Sequence, residues 1–292
     1  MKPPPFDYEA PRELDEALAL LAERGEDGKV LAGGQSLVPL LNFRLARPEV
    51  LIDINGVQAL ATLGREGTHL HIGALTRHAQ AEHSSVVREQ WPLLADALRW
   101  VAHPQIRNRG TVGGSVAHSD PSAELPVVLS ALDARYHVRS ARGARTLERE
   151  EMFLGQLETG VRPDELLCAI EVPAMAPGAG WAFVEYARRH GDFALGGTAV
   201  VLDVEPDGTV GRAAIALLGA GPTPLRAAAA EHALVGQAVD DAVAREAAAL
   251  AVAEIAPTGD IHGSTEYRRD LIETLVGRAL GVAAGRANGG TT

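Results

Sequence analysis

Two glycine pairs, each beside a small hydroxyl residue, constrain the structure of this chain more than any other feature of its sequence. The first lies in AGGQSL at residues 32–37, between a predicted strand and a predicted helix, and the second in TVGGS at residues 111–115. Glycine lets a backbone approach a ligand closely and adopt positive φ angles. Either pair alone is typical of a tight turn. The two together favour an anion-binding site in which backbone N–H groups surround a pyrophosphate.

The charge balance argues against a strongly basic binding surface. The 292 residues include 27 Lys and Arg against 38 Asp and Glu, which gives a formal net charge of -11. A negative surface repels nucleic acid and anionic lipid, so we expect no nucleic-acid partner. An anionic ligand must therefore be held by local backbone donors and not by the field of the whole protein.

Cys168 is the single cysteine of the chain. One thiol excludes an intrachain disulfide and any iron–sulfur or zinc site built from several thiolates of this chain. Redox chemistry would therefore need an organic group or a cluster on another chain. The N-terminal sequence MKPPPFDYEAP has no apolar run, and no stretch approaches the roughly 20 apolar residues of a membrane helix, so we expect a cytoplasmic protein without a membrane span.

The hydrophobic pattern divides the chain near residue 175. Before this point, helical and strand-like segments alternate, as in a mixed α/β domain. Residues 173–180, rich in Pro, Gly and Ala, are the candidate linker. Beyond them, strand-like segments predict a small antiparallel sheet accompanied by helices. The predicted fold class is therefore α+β, with domains over residues 1–175 and 176–285 and a loose tail at 286–292.

The expected elements follow from apolar spacing and turn residues. Ser36 and Thr76 are placed to cap helices, and residues 103–121, rich in turn formers, are expected to form a polar functional loop. The expected helices cover residues 14–21, 36–45, 91–101, 122–132, 227–235, 242–254 and 266–280, and the expected strands cover 29–32, 50–54, 70–72, 136–139, 166–172, 183–186, 198–204 and 211–218.

Other site types have less support. Neither glycine loop continues as Gly-Lys-Ser/Thr or fits G-x-G-x-x-G, so a Walker A loop and a Rossmann site are not indicated. The serines form no G-x-S-x-G elbow, which argues against a hydrolase. His69 and His71 alternate on one predicted strand face without an evident third ligand, so a solvated strand face is favoured over a metal site.

The two loops and further segments together resemble the flavoprotein (medium) subunit of the carbon monoxide dehydrogenase and xanthine dehydrogenase family of molybdenum hydroxylases. The resemblance spans nearly the whole chain. It implies an FAD-binding domain of the vanillyl-alcohol-oxidase (PCMH) type, made of two α/β subdomains, followed by a smaller α+β C-terminal domain. The further segments are HPQIRNRGTVGG at 103–114, DPSAELP at 120–126, LLCAIEVP at 166–173, RRHGDFA at 188–194 and EYRRDL at 266–271.

The resemblance also implies which residues hold FAD, without a covalent bond and with no catalytic acid or base and no metal ligand. The loops would line the two sides of the pyrophosphate, and the carboxylates of Asp120 and Glu124 suit ribose or ribityl hydroxyls. Helix capping is an equally good interpretation for Asp120, and Leu167 also suits the core. The implied residues are Ala32, Gly33, Gly34, Gln35, Ser36, Leu37, Thr111, Gly113, Gly114, Ser115, Asp120, Glu124, Leu167 and Phe193.

Two positions depart from the carbon monoxide dehydrogenase pattern. Phe193 replaces a tyrosine, which keeps an aromatic ring able to stack on or shield the isoalloxazine but removes the hydroxyl. Glu185 replaces a lysine, and a negative charge close to the flavin would lower its potential by disfavouring the anionic reduced form. His103 and His118 flank the second loop and are further candidates for contact with the cofactor.

The function that the resemblance implies is electron transfer. The chain would take electrons from [2Fe-2S] clusters of a small subunit and pass them through FAD to a quinone, NAD, oxygen or another acceptor. A molybdopterin-binding large subunit would oxidise the substrate, in a dimer of such heterotrimers. The alternatives are a stand-alone flavin-dependent oxidase or dehydrogenase of the vanillyl-alcohol-oxidase superfamily, and a binding protein that has lost its cofactor.

Overall fold

The computed structural model describes residues 1–253 and 255–287 and confirms the α+β class. The helices are α1 Leu14–Arg24, α2 Leu37–Asn42, α3 His78–His83, α4 Ser85–Gln90, α5 Pro92–Leu98, α6 Pro104–Arg107, α7 Val112–His118, α8 Glu124–Ala131, α9 Arg149–Met152, α10 Ala228–Leu234, α11 Asp241–Ala251 and α12 Thr265–Ala287. The strands are β1 Asp7–Glu9, β2 Gly28–Leu31, β3 Val50–Asp53, β4 Leu63–Glu66, β5 His69–Gly73, β6 Arg135–Ser140, β7 Gly143–Leu147, β8 Phe153–Gly155, β9 Glu158–Thr159, β10 Leu166–Pro173, β11 Gly180–Tyr186, β12 Gly196–Val204, β13 Val210–Leu218 and β14 Leu225–Arg226.

The N-terminal residues form a parallel sheet in the order β1-β3-β2. Helix α1 buries Leu18 and Leu21 in a core that also contains Ile52 of β3. The spacing of these leucines gives α1 one apolar face, and Gly25, with a φ of 53°, ends the helix. Because β2 and β3 are parallel, their carboxyl ends lie side by side where β2 leads into the first glycine loop.

A second, antiparallel sheet follows in the order β4-β5-β10-β6-β7, and helices α3, α4, α5, α7 and α8 pack in its core. Trp91 is fully buried there and donates its indole N–H to the Pro173 carbonyl over 2.8 Å. Strand β10 connects the two N-terminal cores through alternate side chains. Leu166 and Cys168 pack in the core of the parallel sheet, whereas Leu167 packs in the core of the antiparallel sheet.

The C-terminal part is an antiparallel sheet in the order β11-β12-β13-β14 with helices α10 to α12. Its faces are buried on both sides. Val200 and Leu202 of β12 pack in the core of the C-terminal helices, whereas Ala199 and Val201 pack in the core shared with α5 and α8. This sheet therefore joins the C-terminal helices to the N-terminal part of the molecule.

The sequence predicts a continuous loop over residues 103–121. This prediction is wrong, because the segment contains α6 and α7. Pro104 lies in the first turn of α6, where its fixed φ angle suits a helix start. Thr111 caps α7, because its Oγ1 accepts the N–H of Gly114 over 3.0 Å. Gly113 and Gly114 are typical turn formers in the sequence, but in the structure they lie in α7, where Gly113 packs closely against Ala74.

Two predicted helix caps are wrong. Ser36 precedes α2, but its side chain makes no capping hydrogen bond. The Thr76 hydroxyl instead donates to the Thr62 carbonyl over 3.0 Å, and the next helix begins only at His78. Both hydroxyls lie close to a helix start, but neither caps the helix.

Helix α12 continues past its predicted end. Arg286 and Ala287, predicted to belong to a loose tail, are its last residues. The Arg286 guanidinium lies 3.6 Å from the ring centroid of Trp181 and donates to the Trp181 carbonyl over 2.8 Å, which fixes this end of the helix. Residues 288–292, and residue 254 at the predicted end of another helix, lie outside the described residues. Among the helices that the structure describes, none has the length and apolar character needed to cross a membrane.

Candidate functional site

The first glycine loop runs from the end of β2 to the start of α2. Gly34 has a φ of 72°, a left-handed conformation that glycine adopts without steric cost. Within the described part of the chain, the backbone N–H groups of residues 33–37 have no protein acceptor. Gln35 and Ser36 are exposed, so this run of free donors faces solvent at a strand–helix junction. Such an arrangement is suited to binding an anion.

The second glycine loop, at the start of α7, differs from the first because its N–H groups are used within the protein. Gly113 donates to the Ala74 carbonyl, Gly114 to Thr111 Oγ1 and Ser115 to the Thr111 carbonyl, each over 3.0 Å. A Cβ at Gly113 would lie 2.5 Å from the Ala74 Cβ, so close packing requires this glycine. The second loop therefore provides a fixed surface and not the second set of free donors that the sequence suggests.

The structure brings the two predicted loops into direct contact. A Cβ at Gly33 would lie 2.5 Å from the carbonyl oxygen of Arg109 and 2.8 Å from the Cα of Gly110. Real Cβ atoms do not approach backbone atoms this closely, so any side chain at this position would force the loops apart. The two loops are therefore in contact, and Gly33 is the residue that permits this contact.

Asn55 and Arg77 connect the loops, and the sequence analysis missed both. Asn55 Nδ2 donates to the Ala32 carbonyl over 2.8 Å, and Asn55 Oδ1 accepts from Arg77 Nη2 over 2.7 Å. Arg77 also donates through Nη1 to the Arg109 carbonyl. We call this connection the Asn55–Arg77 bridge. The available signal was a polar residue, Asn55, two positions after the carboxyl end of the parallel strand β3, the region where ligand sites of such sheets lie.

Asp53 orients the bridge. Its Oδ1 accepts from the backbone N–H of Asn55 over 2.9 Å and from Asn55 Nδ2 over 2.6 Å, while Tyr8 donates to Oδ2 over 2.6 Å. Burial acts to raise the pKa of Asp53, but the hydrogen bonds from Tyr8 and Asn55, with the charge of Arg77, outweigh it and lower the pKa. The ionised carboxylate therefore holds Asn55 in place.

Asp120 and Glu124 lie in and after the turn that joins α7 to α8. Asp120 Oδ1 accepts the backbone N–H of Ser122 over 2.8 Å within the turn. The N-cap of α8 is Ala123, without a side-chain capping bond, so the interpretation of Asp120 as a helix cap is wrong. Glu124 is the first residue of α8 and only 8% exposed. Burial raises the pKa of Glu124 to about 7, and the nearby charge of Asp120 adds to the effect.

The remaining predicted residues lie in two different environments. Leu167 is 4% exposed and packs in the core, as its alternative interpretation states. Phe193 is 71% exposed in the hairpin between β11 and β12. Glu185, near the end of β11, is buried, and its Oε2 has no hydrogen-bond partner among the described residues.

His78 is a third residue that the sequence analysis missed. It is buried, and its Nε2 lies 2.9 Å from the Thr111 carbonyl. Burial lowers the pKa of His78 to about 4, so the ring is neutral at physiological pH and its Nε2–H donates to that carbonyl. His103 is exposed and packs against Gly191, while burial lowers the pKa of His118.

The histidines on the antiparallel sheet pair with carboxylates. His69 lies 3.8 Å from Glu171, and His71 lies 3.9 Å from Glu66. Over the described residues, no group of three or more His, Cys, Asp or Glu side chains is arranged to hold a metal ion.

Comparisons with known proteins match nearly the whole chain. Residues 4–175 match the FAD binding domain in molybdopterin dehydrogenase, and residues 181–283 match the CO dehydrogenase flavoprotein C-terminal domain. The first match covers more than half of the chain and includes both glycine loops and the Asn55–Arg77 bridge.

Individual relatives match at nearly full length. The chain is 45% identical over 287 residues to the 6-hydroxypseudooxynicotine dehydrogenase complex subunit alpha of Paenarthrobacter nicotinovorans, covering 98% of this chain and 97% of that one. It is 39% identical over 286 residues to the carbon monoxide dehydrogenase medium chain of Hydrogenophaga pseudoflava, covering 98% and 99%. A solved structure of the carbon monoxide dehydrogenase of that organism, lacking the Mo-pyranopterin moiety of its molybdenum cofactor, superposes with a TM-score of 0.95 at 42% identity, covering 98% and 99%. The chain therefore belongs to the family of FAD-binding subunits of molybdopterin dehydrogenases, with the C-terminal domain of the carbon monoxide dehydrogenase flavoproteins.

Proposed function

We propose that this protein is the FAD-carrying electron-transfer subunit of a molybdenum-containing hydroxylase or dehydrogenase complex. The run of free backbone N–H groups at residues 33–37 is the observation that carries the proposal, because it offers hydrogen-bond donors to a diphosphate in a chain of net charge -11. Residues 4–175 match an FAD binding domain, which supports FAD as the diphosphate compound that would bind here.

The residues of the site fit FAD chemically. The N–H groups of 33–37 and the Ser36 hydroxyl would bind the diphosphate oxygens, while the second loop, at 111–115, would form the opposite wall. Asp120 and Glu124 offer carboxyl oxygens to ribose or ribityl hydroxyls. The exposed ring of Phe193 is free to shield the isoalloxazine, although it lacks a hydroxyl to donate a hydrogen bond.

Bound FAD supplies the redox chemistry, and this chain supplies binding, orientation and electrostatics. Gly33 and the Asn55–Arg77 bridge set the separation of the two loops. The core position of Leu167 gives a rigid apolar backing from β10. We assign no acid–base catalyst, because electron transfer through the cofactor needs none from this chain.

The proposal includes partners. The single thiol of Cys168 is buried and cannot ligate an iron–sulfur cluster, so [2Fe-2S] clusters that deliver electrons would lie on a small subunit. A molybdopterin-binding large subunit would oxidise the substrate, in a cytoplasmic dimer of heterotrimers. Named relatives are subunits of carbon monoxide, caffeine and 6-hydroxypseudooxynicotine dehydrogenases, so we place the substrate among small carbon compounds and N-heterocycles. Residues 1–175 would bind FAD, and residues 176–285 would complete the subunit.

Purification of the tagged chain from its native cells tests this proposal. We expect two further chains to copurify, one carrying molybdenum and one carrying iron, together with FAD equimolar to the tagged chain. We also expect the bound FAD to be reduced when a substrate of the large chain is added to the complex. Isolation of the tagged chain alone, with FAD that an organic substrate reduces directly, would instead identify a stand-alone flavin enzyme.

A further inference from the structure

Two adjacent residues at the start of α3 bind three consecutive carbonyls of the segment that leads into the second glycine loop. Arg77 donates through Nη1 to the carbonyl of Arg109. The backbone N–H of His78 donates to the carbonyl of Gly110 over 3.1 Å, and its Nε2–H donates to that of Thr111 over 2.9 Å. His78 is only 5% exposed, so water does not compete for these bonds. Together they fix the path of the backbone at the entrance to the loop.

The imidazole of His78 also lies directly against Gly110. A Cβ at Gly110 would lie 2.9 Å from both Cε1 and Nδ1 of the ring, which leaves no space for a side chain there. Gly110 in turn contacts the first loop, since a Cβ at Gly33 would lie 2.8 Å from its Cα. The imidazole touches the second loop's segment at the same residue that touches the first loop. A shift of the ring would therefore change the contact between the loops.

Helix α3 is itself fastened to the segment before the loop. Glu82 lies one turn after His78 on the same face of the helix and accepts from Arg107 Nε over 2.8 Å. The side chains of Arg107 and Glu82 are only 10% and 11% exposed, so salt screens this ion pair little. Arg107 also donates through Nη1 to the Val101 carbonyl over 3.1 Å. The helix is thus a fixed support from which His78 reaches the loop.

The ring uses one nitrogen for this contact and leaves the other without a partner. Nδ1 of His78 has no hydrogen-bond partner among the described residues, although buried polar groups nearly always have one. A leucine at this position would avoid the unpaired nitrogen, but it would provide no donor for the Thr111 carbonyl. The Nε2–H bond, and not packing alone, therefore explains a histidine here.

We propose that His78 is a positioning residue of the FAD site, which holds Thr111 through Nε2–H, supports Gly110 through its ring, and so sets the contact between the two glycine loops. His78 acts through the second loop, and we assign it no contact with the cofactor. The inference rests on the proposed function for its effect on FAD. Its effect on the loop is a property of the protein with or without the cofactor.

Amide hydrogen exchange of the full-length apoprotein tests the effect on the loop. In His78→Asn the side-chain amide ends at the position of Nδ1 and cannot reach the Thr111 carbonyl, whereas in His78→Gln the amide nitrogen takes the place of Nε2. The N–H groups of residues 112–115 are bonded within the protein, so their exchange reports on the loop. We expect faster exchange there in His78→Asn and nearly wild-type exchange in His78→Gln. Wild-type exchange in His78→Asn, or equal acceleration in both variants, would overturn the proposal.

Thr198→Val is the matched control for loss of one buried hydrogen bond. The Thr198 hydroxyl donates to the Ala216 carbonyl over 3.1 Å within the C-terminal sheet, and valine has nearly the same shape. Exchange at residues 112–115 should equal that of the wild type. Acceleration there as large as in His78→Asn would indicate a general loss of stability and would contradict the assignment to His78.

Gly110→Ala perturbs the same contact from the side of the loop. Its Cβ would lie 2.9 Å from Nδ1 of His78 and 3.1 Å from the Ile106 carbonyl oxygen, so the segment must shift although the Nε2–H donor remains. We expect faster exchange at residues 112–115 in this variant as well. Unchanged exchange would contradict the support of Gly110 by the ring.

Titration of the same apoproteins with FAD, followed by quenching of flavin fluorescence, tests the effect on the cofactor site. Loss of the Nε2–H bond should raise the dissociation constant of FAD roughly 2- to 12-fold in His78→Asn. His78→Gln and Thr198→Val should bind FAD as the wild type does. An unchanged constant in His78→Asn would refute the positioning of the FAD site. A wild type that binds no FAD would instead contradict the proposed function, and the exchange rates would still decide whether His78 positions the loop.

Discussion

A methyl group at Gly33 should separate the two loops and weaken FAD binding. In Gly33→Ala, the new Cβ would lie 2.5 Å from the Arg109 carbonyl oxygen and 2.8 Å from the Gly110 Cα, and both are backbone atoms that cannot rotate away. Overpacking of this kind costs about 1–3 kcal/mol. If the cost falls on the bound geometry, the dissociation constant of FAD should rise about 5- to 150-fold. Quenching of flavin fluorescence on titration of the apoprotein measures it.

Gly64→Ala is the matched control for this experiment. Gly64 lies in the same domain, and a Cβ there meets no atom within 4 Å. Its FAD dissociation constant should equal that of the wild type, and thermal unfolding of both apoproteins separates site effects from loss of stability. Equal FAD affinity in Gly33→Ala and Gly64→Ala would refute the argument that contact between the loops shapes the site.

Three further predictions concern neighbouring residues. In Asn55→Ala and in Arg77→Gln, loss of bridge hydrogen bonds worth about 0.5–1.5 kcal/mol each should raise the FAD dissociation constant roughly 2- to 12-fold per bond, and unchanged affinity would contradict the role of the bridge. In Thr111→Val, loss of the α7 cap should lower the free energy of unfolding by about 1 kcal/mol, as measured by urea denaturation, and unchanged stability would contradict the cap. Burial raises the pKa of Glu124 and Glu185 above the ordinary 4.5, so the folded state binds protons more tightly than the unfolded state does. The free energy of unfolding should therefore fall as the pH rises from about 4.5 to about 8. Glu185→Gln should flatten that dependence.

Local patterns were sufficient to predict much of the fold. The leucines of α1 and its terminal Gly25 give the helix its face and its end, so this element is confirmed within three residues. The antiparallel C-terminal sheet is confirmed in the same way, because its strands carry β-branched and small apolar residues separated by turn residues. Helix α7 was missed because its glycines have low helix propensity, and its packing against Ala74 is visible only in the folded protein.

The candidate site was predictable where its chemistry is contiguous in sequence. The loop at 32–37 is a local motif, and its free N–H groups follow from the strand–helix junction. The Asn55–Arg77 bridge joins residues 22 positions apart and depends on how β3 lies beside β2. In the second loop, the N–H of Gly113 donates to the carbonyl of Ala74, a contact that likewise forms only in the folded protein.

The FAD content of a purified double variant tests the central claim most directly. Gly33→Val and Gly114→Val together would place side chains against the Arg109 carbonyl and the Thr111 hydroxyl, on the contact surfaces of both loops. The ratio of FAD to protein, measured by absorbance after denaturation, should be equimolar in the wild type and close to zero in a folded double variant. Equimolar FAD retained by that variant would contradict the assignment of the cofactor to the two glycine loops.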